Sequence, residues 1–342
     1  MTSISDCRIA LVLAGGNALG GYQAGVYEAL HEGGVRPDWI VGTSAGAVNG
    51  AILAGNAPED RLDRLHAFWR PRASAGLDHG EPFDTWRRSG EAMATMLTGH
   101  GGMFAPLGTA LVAGDAPALY DTAPLGRSLS RLVDFDRLNA GTVRFTVQAV
   151  ALDSGAEVLF DNRAVRIEPD HVRASGAMAP AFPPITIDGV TYVDGGLSAN
   201  LPLDPVLGEP QDRPVLCIAV DLLPLAGSRE RTIGHLIARA QDLTFAAQSR
   251  RTIAAWRHRY DSDPALADRA VALAHLTYAD QQREVAGKAM DFSGLSVRQR
   301  WDAGRRDGAL LLDRLHAGAI PFGRAGLHLT GIADGEVREE RP

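Results

Sequence analysis

A serine in this 342-residue chain lies in a pattern that presents nucleophiles. Residues 42–46 read Gly-Thr-Ser-Ala-Gly, the G-x-S-x-G spacing in which a serine occupies a sharp turn between a strand and a helix. Gly42 and Gly46 suit such a turn, because the strained backbone and the close passage of the helix leave no room for a β-carbon. The pattern predicts that Ser44 is exposed for chemistry. The alternative is a glycine-rich turn that only packs a helix on a sheet.

A glycine-rich loop lies upstream of this serine. Residues 7–13 form an apolar run of strand length, residues 14–21 read AGGNALGG, and residues 22–32 resume with helical character. Such a loop aims successive backbone N–H groups at one point, and the N-terminus of the following helix adds partial positive charge. The sequence therefore predicts a site for an anion or a developing oxyanion.

A dinucleotide-binding turn is the main rival interpretation of this loop. The strict G-x-G-x-x-G spacing fails because Asn17 holds its middle position. Asp38, the acidic residue at the expected distance, opens the second strand instead of closing it. Both departures disfavour nucleotide binding.

Two Asp-Gly pairs follow each other closely downstream. Residues 185–192 alternate about Asp188-Gly189, which is typical of a hairpin with a two-residue turn, so Asp188 is expected to be structural. Asp194 follows the returning strand, where a rigid strand end can hold a catalytic carboxylate. Desolvation in an apolar cleft would raise its pKa enough for it to accept a proton from a serine. A structural turn at Asp194 is the alternative.

Taken in this order, the motifs resemble those of the patatin-like phospholipase family. The resemblance also takes in residues 173–184 (RASGAMAPAFPP) and Asn200-Leu201-Pro202. It runs from about residue 8 to residue 205, and the remainder is similar to the C-terminal part of one bacterial branch of the family.

The resemblance implies a three-layer α/β/α sandwich with a mostly parallel central sheet, which hydrolyses acyl esters of phospholipids and related lipids. It makes Ser44 the nucleophile and Asp194 its partner in a Ser-Asp dyad. The backbone N–H groups of the loop would form the oxyanion hole. The residues that carry these roles or support the motifs are Ser44, Asp194, Gly15, Gly16, Asn17, Gly42, Gly46, Gly195 and Gly196.

Two positions depart from the family pattern. Asn17 stands where many members have glycine, and asparagine is the residue that best tolerates left-handed backbone after glycine. Leu19 stands where many members have arginine or lysine, which weakens the expectation of a phosphate-bearing substrate. An intracellular esterase of a storage polyester or small acyl ester, and a lipid-binding shell without turnover, therefore stay open as alternatives.

A Ser-Asp-His triad is the mechanistic rival of the dyad. None of the histidines after Asp194 has surroundings that favour catalysis, and no metal-ligand or cofactor motif occurs. The sequence therefore predicts neither a metal nor a cofactor. The histidines considered are His235, His258, His275, His316 and His328.

Composition limits the possible partners and the compartment. Hydrophobic residues make up 45% of the chain and the net charge is -7, which favours a sizeable core and argues against nucleic-acid binding. Cys7 and Cys217 lie in apolar runs and are expected to be buried free thiols. The first apolar run is too short for export or spanning, so we expect a cytoplasmic protein with at most peripheral membrane contact.

The predicted organisation is a catalytic domain over residues 1–222, with an insertion at about 71–114, and a mainly helical region over residues 223–342. Helices are expected near residues 233–259 and 279–314. Residues 92–114 contain no Asp, Glu, Lys or Arg, which suits a mobile lid or acyl-chain port that contacts lipid; an ordinary buried insert is the alternative.

Overall fold

In the part of the chain that is described, ten strands form one sheet. The computed structural model describes residues 4–338, except 70–80, 109–113, 115, 211, 228–231, 280 and 282–283. The described residues form twelve strands, of which β3 and β4 make a separate two-stranded sheet. The strands are β1 Arg8–Leu13, β2 Trp39–Gly42, β3 Ala105–Pro106, β4 Tyr120–Asp121, β5 Arg144–Ala151, β6 Glu157–Asp161, β7 Ile185–Ile187, β8 Val190–Asp194, β9 Val215–Asp221, β10 Ala270–Thr277, β11 Gly326–Ala333 and β12 Glu336–Arg338.

Helices connect most of these strands. Short 3-10 helices span Ile4–Asp6, Asn17–Gly20, Pro264–Leu266 and Lys288–Met290. The α-helices are α1 Gly21–Glu32, α2 Ala45–Ala54, α3 Arg61–Trp69, α4 Glu81–Thr98, α5 Ala123–Leu132, α6 Phe135–Asn139, α7 Pro169–Ser175, α8 Gly196–Ala199, α9 Asp204–Gly208, α10 Ile233–Ser262 and α11 Gly294–His316.

The sheet is mostly parallel. Its order is β12-β11-β10-β9-β1-β2-β5-β8-β7, and β6 pairs with β5. β11, β10, β9, β1, β2 and β5 run in the same direction. β12, β6, β8 and β7 run antiparallel to their neighbours. The predicted α/β class with a mostly parallel central sheet is confirmed.

Apolar cores lie on both faces of this sheet. Successive residues of β1 alternate between them, because side chains along a strand point to opposite faces. Leu11 belongs to a core that includes residues of α1, α2 and α11, whereas Val12 belongs to a second core with Ile253 and Trp256 of α10. Strands covered on both faces read as continuous apolar runs, which is why β1 and β9 were predictable.

Two hairpins are present, and the one at Asp188-Gly189 was predicted. β5 and β6 pair antiparallel across residues 152–156, and β7 and β8 pair across Asp188 and Gly189. The φ angles of Asp188 and Gly189 are 50° and 82°, as a primed two-residue turn requires. Asp188 is therefore a turn residue, as predicted.

Two segments differ from the sequence-based expectations. Residues 81–98 form α4 inside the segment interpreted as a poorly periodic insertion. Met93 and Leu97 of this helix are 56% and 70% exposed, so its apolar residues do not mark a buried face. The helix expected from residue 279 begins only at Gly294, where the Ser293 hydroxyl caps it by accepting from the Ser296 N–H.

The region after residue 222 also contributes to the central sheet. β10 pairs with β9 in parallel, and β11 and β12 extend the same sheet. The long helices of this region were predicted from the sequence, but its strands were not. A domain boundary near residue 222 stays a prediction.

The side chains of Cys7 and Cys217 are both buried, as predicted. Burial raises the pKa of the Cys217 thiol, since the thiolate would lie in an apolar core. Over the described residues, no helix combines the length and the apolar character needed to cross a membrane.

Glycines allow α1 and α11 to pack closely. A β-carbon on Gly25 would lie 1.9 Å from the carbonyl oxygen of Trp301, and one on Gly304 would lie 2.0 Å from that of Tyr22. Neither position has room for a side chain. The two helices therefore meet at backbone distance.

We expect Gly25→Ala to lower the free energy of unfolding by about 1–3 kcal/mol or more, because the new methyl group would force the two helices apart. Gly90→Ala is the matched control, since Gly90 also lies within a helix but has nothing within 4 Å of the added β-carbon. It should be neutral or stabilising by up to about 1 kcal/mol. Urea denaturation measures both, and equal effects would contradict the packing argument.

Candidate active site

Strand register brings Ser44 and Asp194 to the same place. Gly42 at the end of β2 lies opposite Val147 of β5, and Asp194 at the end of β8 lies opposite Ala149. β6 occupies the other edge of β5 along residues 146–150, so β2 and β8 share one edge and approach each other end to end. Val147 and Ala149 are two residues apart on β5, and residues at this spacing along a strand are separated by about 7 Å. Ser44 is the second residue after β2.

Ser44 occupies a strained turn between β2 and α2. Its φ and ψ angles are 54° and -118°, a conformation that non-glycine residues rarely adopt. A β-carbon on Gly42 would lie 2.5 Å from the carbonyl oxygen of Gly46, and one on Gly46 would lie 2.1 Å from that of Leu13. The Ser44 N–H donates to Oγ of Ser175 at 2.9 Å. Packing and this hydrogen bond together hold the serine in its strained geometry.

Asp194 is buried, with 1% of its surface exposed. Its Oδ1 accepts a hydrogen bond from the Gly196 N–H at 2.7 Å, whereas its Oδ2 is buried and has no hydrogen-bond partner in the described structure. Burial raises the pKa of Asp194 to about 7, against the lowering effects of the Gly196 N–H and the nearby Ser44 hydroxyl. Such a carboxylate can exchange a proton near neutral pH.

Backbone packing holds the Asp-Gly-Gly run against β5. A β-carbon on Gly195 would lie 2.5 Å from the carbonyl oxygen of Gln148, and one on Gly196 would lie 2.9 Å from Oδ1 of Asp194. Both glycines are therefore required by close approach. This packing fixes the direction of the Asp194 side chain.

The glycine-rich loop is anchored to residue 200. The Gly15 N–H donates to the carbonyl oxygen of Asn200 at 3.1 Å, and Nδ2 of Asn200 donates to the carbonyl oxygen of Gly15 at 3.1 Å. The Gly15 N–H is thus occupied, which corrects the expectation that it faces an oxyanion. The structure gives the N–H groups of Gly16 and Asn17 no such bond to another described residue. Asn17 has a φ of 50°, the left-handed conformation that asparagine tolerates.

One cavity of about 320 Å³ contains the predicted site residues Ser44, Asp194, Gly15, Gly16 and Asn17. Most of its other lining is apolar, as expected of a pocket for an acyl chain. The apolar side chains that line it include Leu19, Val48, Phe68, Trp69, Met96, Met103, Phe104, Leu125, Met178, Phe182, Leu223, Ile237, Phe245 and Met290.

Part of the uncharged segment 92–114 lies in the cavity wall. Met103 and Phe104 are 9% and 3% exposed, and the Phe104 ring lies 5.2 Å from that of Phe182. These side chains are packed, whereas Met93, Met96 and Leu97 are exposed. Residues 109–113 lie outside the described residues, so the lid function of the segment stays a prediction.

No described histidine lines this cavity. His66 stacks on Trp301 with ring centroids 4.5 Å apart, and Nε2 of His275 lies 3.6 Å from a carboxylate oxygen of Asp221. Neither contact involves Ser44 or Asp194. The described geometry does not favour the triad alternative. In the same residues, no group of three or more His, Cys, Asp or Glu side chains could hold a metal ion.

Sequence reasoning missed the roles of Ser175 and Asn200. Both lie in the motif blocks around Asp194, which was the only available signal. Lys288 and Asp242 also line the cavity, as an ion pair with Nζ 2.7 Å and 2.6 Å from the two carboxylate oxygens. No spacing rule connects these two residues, because they are 46 positions apart.

Comparisons with known families agree with this geometry. Residues 11–207 match a family model described as patatin-like phospholipase, and residues 248–317 match a second one described as patatin phospholipase. The first match spans more than half of the chain. The chain therefore belongs to the patatin-like phospholipase family.

Individual relatives are more distant. The lysophospholipase nte1 of Aspergillus terreus is 44% identical over 68 residues, which are 20% of this chain and 4% of the fungal protein. VipD from Legionella pneumophila is similar with a TM-score of 0.39 and 14% identity, over 87% of this chain and 67% of VipD. The structure of ExoU with SpcU from Pseudomonas aeruginosa gives a TM-score of 0.34 and 16% identity, over 90% of this chain and 56% of the other. This chain thus spans a small part of the fungal relative.

The buried carboxyl of Asp194 has a consequence for stability. Between about pH 4 and pH 7 the folded protein holds a proton on Asp194 that the unfolded chain has released, so stability falls as pH rises across this range. Above about pH 7 the loss in the free energy of unfolding that comes from the raised pKa of Asp194 is constant, at about 4 kcal/mol in total. In Asp194→Asn the side chain keeps nearly the same shape but has no carboxyl group to titrate.

We therefore expect Asp194→Asn to gain stability relative to the wild type as pH is raised from about 4 to about 7, with no further gain above. Urea denaturation at a series of pH values measures the difference. A difference that does not change with pH would mean that the pKa of Asp194 is ordinary.

Proposed function

We propose that this protein is a serine esterase that cleaves carboxylic ester bonds of lipids through Ser44 and Asp194. The observation that carries the proposal is the Asp194 carboxyl group. It lies in the same cavity as Ser44, its Oδ2 has no hydrogen-bond partner in the described structure, and burial raises its pKa to about 7. A carboxylate in this state can serve as a general base without a histidine.

Acylation begins when Oγ of Ser44 attacks the ester carbonyl carbon and its proton passes to Asp194. The carbonyl oxygen becomes an oxyanion that accepts hydrogen bonds from the N–H groups of Gly16 and Asn17. The tetrahedral intermediate collapses, the alcohol leaves with the proton from Asp194, and the acyl group stays on Ser44. Water then attacks the acyl-enzyme, again giving its proton to Asp194, and the fatty acid leaves as Ser44 regains its hydrogen.

The cavity favours the acyl part of the substrate over a phosphate group. Leu19 is buried in the cavity wall. Of the two cationic residues that line the cavity in the described part of the chain, Lys288 is held by Asp242. The other, Arg173, donates to Asp170 at 2.6 Å. These pairings support the second candidate function, hydrolysis of a neutral polyester or small acyl ester.

Exposed apolar side chains of two helices support contact with a lipid surface. Met93, Met96 and Leu97 of α4 and Ile233, Leu236 and Ile237 of α10 each follow the i, i+3, i+4 spacing of one helix face, and all six are exposed. Met96 and Ile237 also line the catalytic cavity. Both faces therefore adjoin the cavity, where lipid would bury them.

For the dyad, we expect Ser44→Ala and Asp194→Asn to lower kcat for a short-chain aryl ester by at least about 10³-fold, because each removes a reacting group. Log(kcat/KM) of the wild type should rise with pH and level off above about pH 7, where Asp194 is ionised. A fluorophosphonate probe should label the wild type but not Ser44→Ala.

Ser130→Ala is the control for this test, since Ser130 is exposed and its hydroxyl donates to the Gly126 carbonyl on α5. It should keep wild-type labelling and turnover. Labelling of folded Ser44→Ala, or near-normal turnover of Asp194→Asn, would refute the dyad. A folded wild type that neither labels nor turns over would favour the lipid-binding shell. Rates on intact phospholipids, compared with neutral esters, distinguish the two substrate classes.

For the lipid surface, we expect Ile233→Ser/Leu236→Ser to reduce binding to phosphatidylcholine vesicles by about 10²-fold, because burying each such side chain stabilises the bound state by roughly 1.5–3 kcal/mol. The rate on a soluble short-chain ester should not change. Vesicle flotation measures the binding. Leu159→Ser/Val165→Ser, at two exposed apolar positions of other elements, should bind as the wild type does. Equal losses in both variants would show that this face has no special part in binding.

A further inference from the structure

One buried arginine of the C-terminal region reaches the glycine-rich loop. Arg300 lies within α11, its side chain is 0% exposed, and its Nη1 donates to the carbonyl oxygen of Ala18 at 3.0 Å. Ala18 is part of the 3-10 helix Asn17–Gly20 that follows the loop. The cationic side chain of Arg300 thus contacts the residue before Leu19. Many family members have a basic residue at the position of Leu19.

All five N–H donors of the Arg300 guanidinium are engaged. Nε and Nη2 donate to the two carboxylate oxygens of Glu284 at 2.8 Å and 2.7 Å. Nη1 donates to the carbonyl oxygens of Ala18 and Asp291 at 3.0 Å and 2.7 Å, and Nη2 donates to that of Lys288 at 3.1 Å. Because the guanidinium is planar and rigid, it fixes these acceptors relative to one another.

The groups held by Arg300 lie in or next to segments that line the catalytic cavity. Ala18 directly follows Gly16 and Asn17, whose N–H groups are the oxyanion donors of the proposed mechanism. Residues 286–290 also line the cavity, and Sδ of Met290 accepts a hydrogen bond from Nδ2 of Asn17 at 3.5 Å. A shift of Arg300 would therefore move the loop relative to the cavity wall.

We propose that Arg300 is a positioning residue for the oxyanion hole. It holds the Ala18 carbonyl, and so keeps the preceding N–H groups of Gly16 and Asn17 aimed into the cavity. Such donors contribute only when they are fixed where the oxyanion forms, and a misplacement of about 1 Å can cost about 10²-fold in rate. The role rests on the proposed esterase function.

Arg88 is the matched control that the chain offers. It lies on α4, is 4% exposed, and donates to Glu284 at 2.9 Å and Asp291 at 3.1 Å, two of the residues that Arg300 contacts. Its described hydrogen bonds otherwise go to Gln299 and reach no atom of the glycine-rich loop. Arg88 and Arg300 thus share one buried ion network, but only Arg300 is hydrogen-bonded to the 3-10 helix.

The test compares Arg300→Lys with Arg88→Lys on a soluble short-chain aryl ester. We expect Arg300→Lys to lower kcat on the order of 10²-fold with little change in KM, because the oxyanion forms only after Ser44 attacks, in the transition state and the tetrahedral intermediate, and not in the bound substrate. The affinity for an aryl trifluoromethyl ketone, whose adduct with Ser44 carries an oxyanion, should fall in parallel. Arg88→Lys should keep kcat and ketone affinity near wild-type values, and thermal melting shows that both variants fold.

Wild-type kcat in folded Arg300→Lys would overturn the proposal, and so would equal losses of kcat and ketone affinity in the two variants. If Arg300→Lys fails to fold, Glu284→Gln loosens the guanidinium without removing it. Glu284→Gln should lower the affinity for the ketone by a larger factor than it changes KM. An unchanged ketone affinity would overturn the proposal. A wild type that neither hydrolyses esters nor reacts with fluorophosphonate would instead refute the esterase function itself, and the role of Arg300 with it.

Discussion

The register of two strands on β5 is the constraint on which the candidate site depends. β2 and β8 approach each other end to end along one edge of β5, with Gly42 opposite Val147 and Asp194 opposite Ala149. Because side chains alternate along a strand, a slip of β8 by one residue would turn Asp194 to the other face of the sheet. The hairpin turn at Asp188 and Gly189 fixes the register of β8 against β7 on its other edge, so a turn that takes no part in chemistry helps to hold the strand that carries the carboxylate.

Both key residues are held in states that an isolated peptide would avoid. Ser44 has a strained backbone, and Asp194 has a desolvated carboxyl group with a pKa near 7. Such states persist only where the surroundings over-determine them. The β-carbon positions of Gly42, Gly46 and Gly195 all fall within 2.5 Å of backbone oxygen atoms, which shows how little freedom the turns have. Function in this protein is thus supported by packing that leaves no room for side chains.

Local patterns predicted the parts of the fold whose causes are local. The apolar runs of β1 and β9, the turn at Asp188 and the strand-turn-helix context of Ser44 were all readable, because each depends on residues close in sequence. The hydrogen-bond partner of the Gly15 N–H was not predictable from local patterns, because Asn200 is 185 positions away. Helix α4 was not predictable because several of its apolar residues are exposed. The site residues were predictable from spacing, but the groups that hold them were not.

The C-terminal region contacts the glycine-rich loop by two routes. Gly25 and Gly304 let α11 approach the helix that follows the loop at backbone distance, and Arg300, one turn before Gly304, reaches the carbonyl of Ala18. The second family match, residues 248–317, contains both Arg300 and Gly304, whereas the first match contains the loop. A buried ion pair replaced by apolar residues often leaves stability unchanged, so stability alone does not explain an arginine at this position. The five directed hydrogen bonds of its guanidinium explain it better, because an apolar side chain could pack there but could not hold the Ala18 carbonyl in one direction.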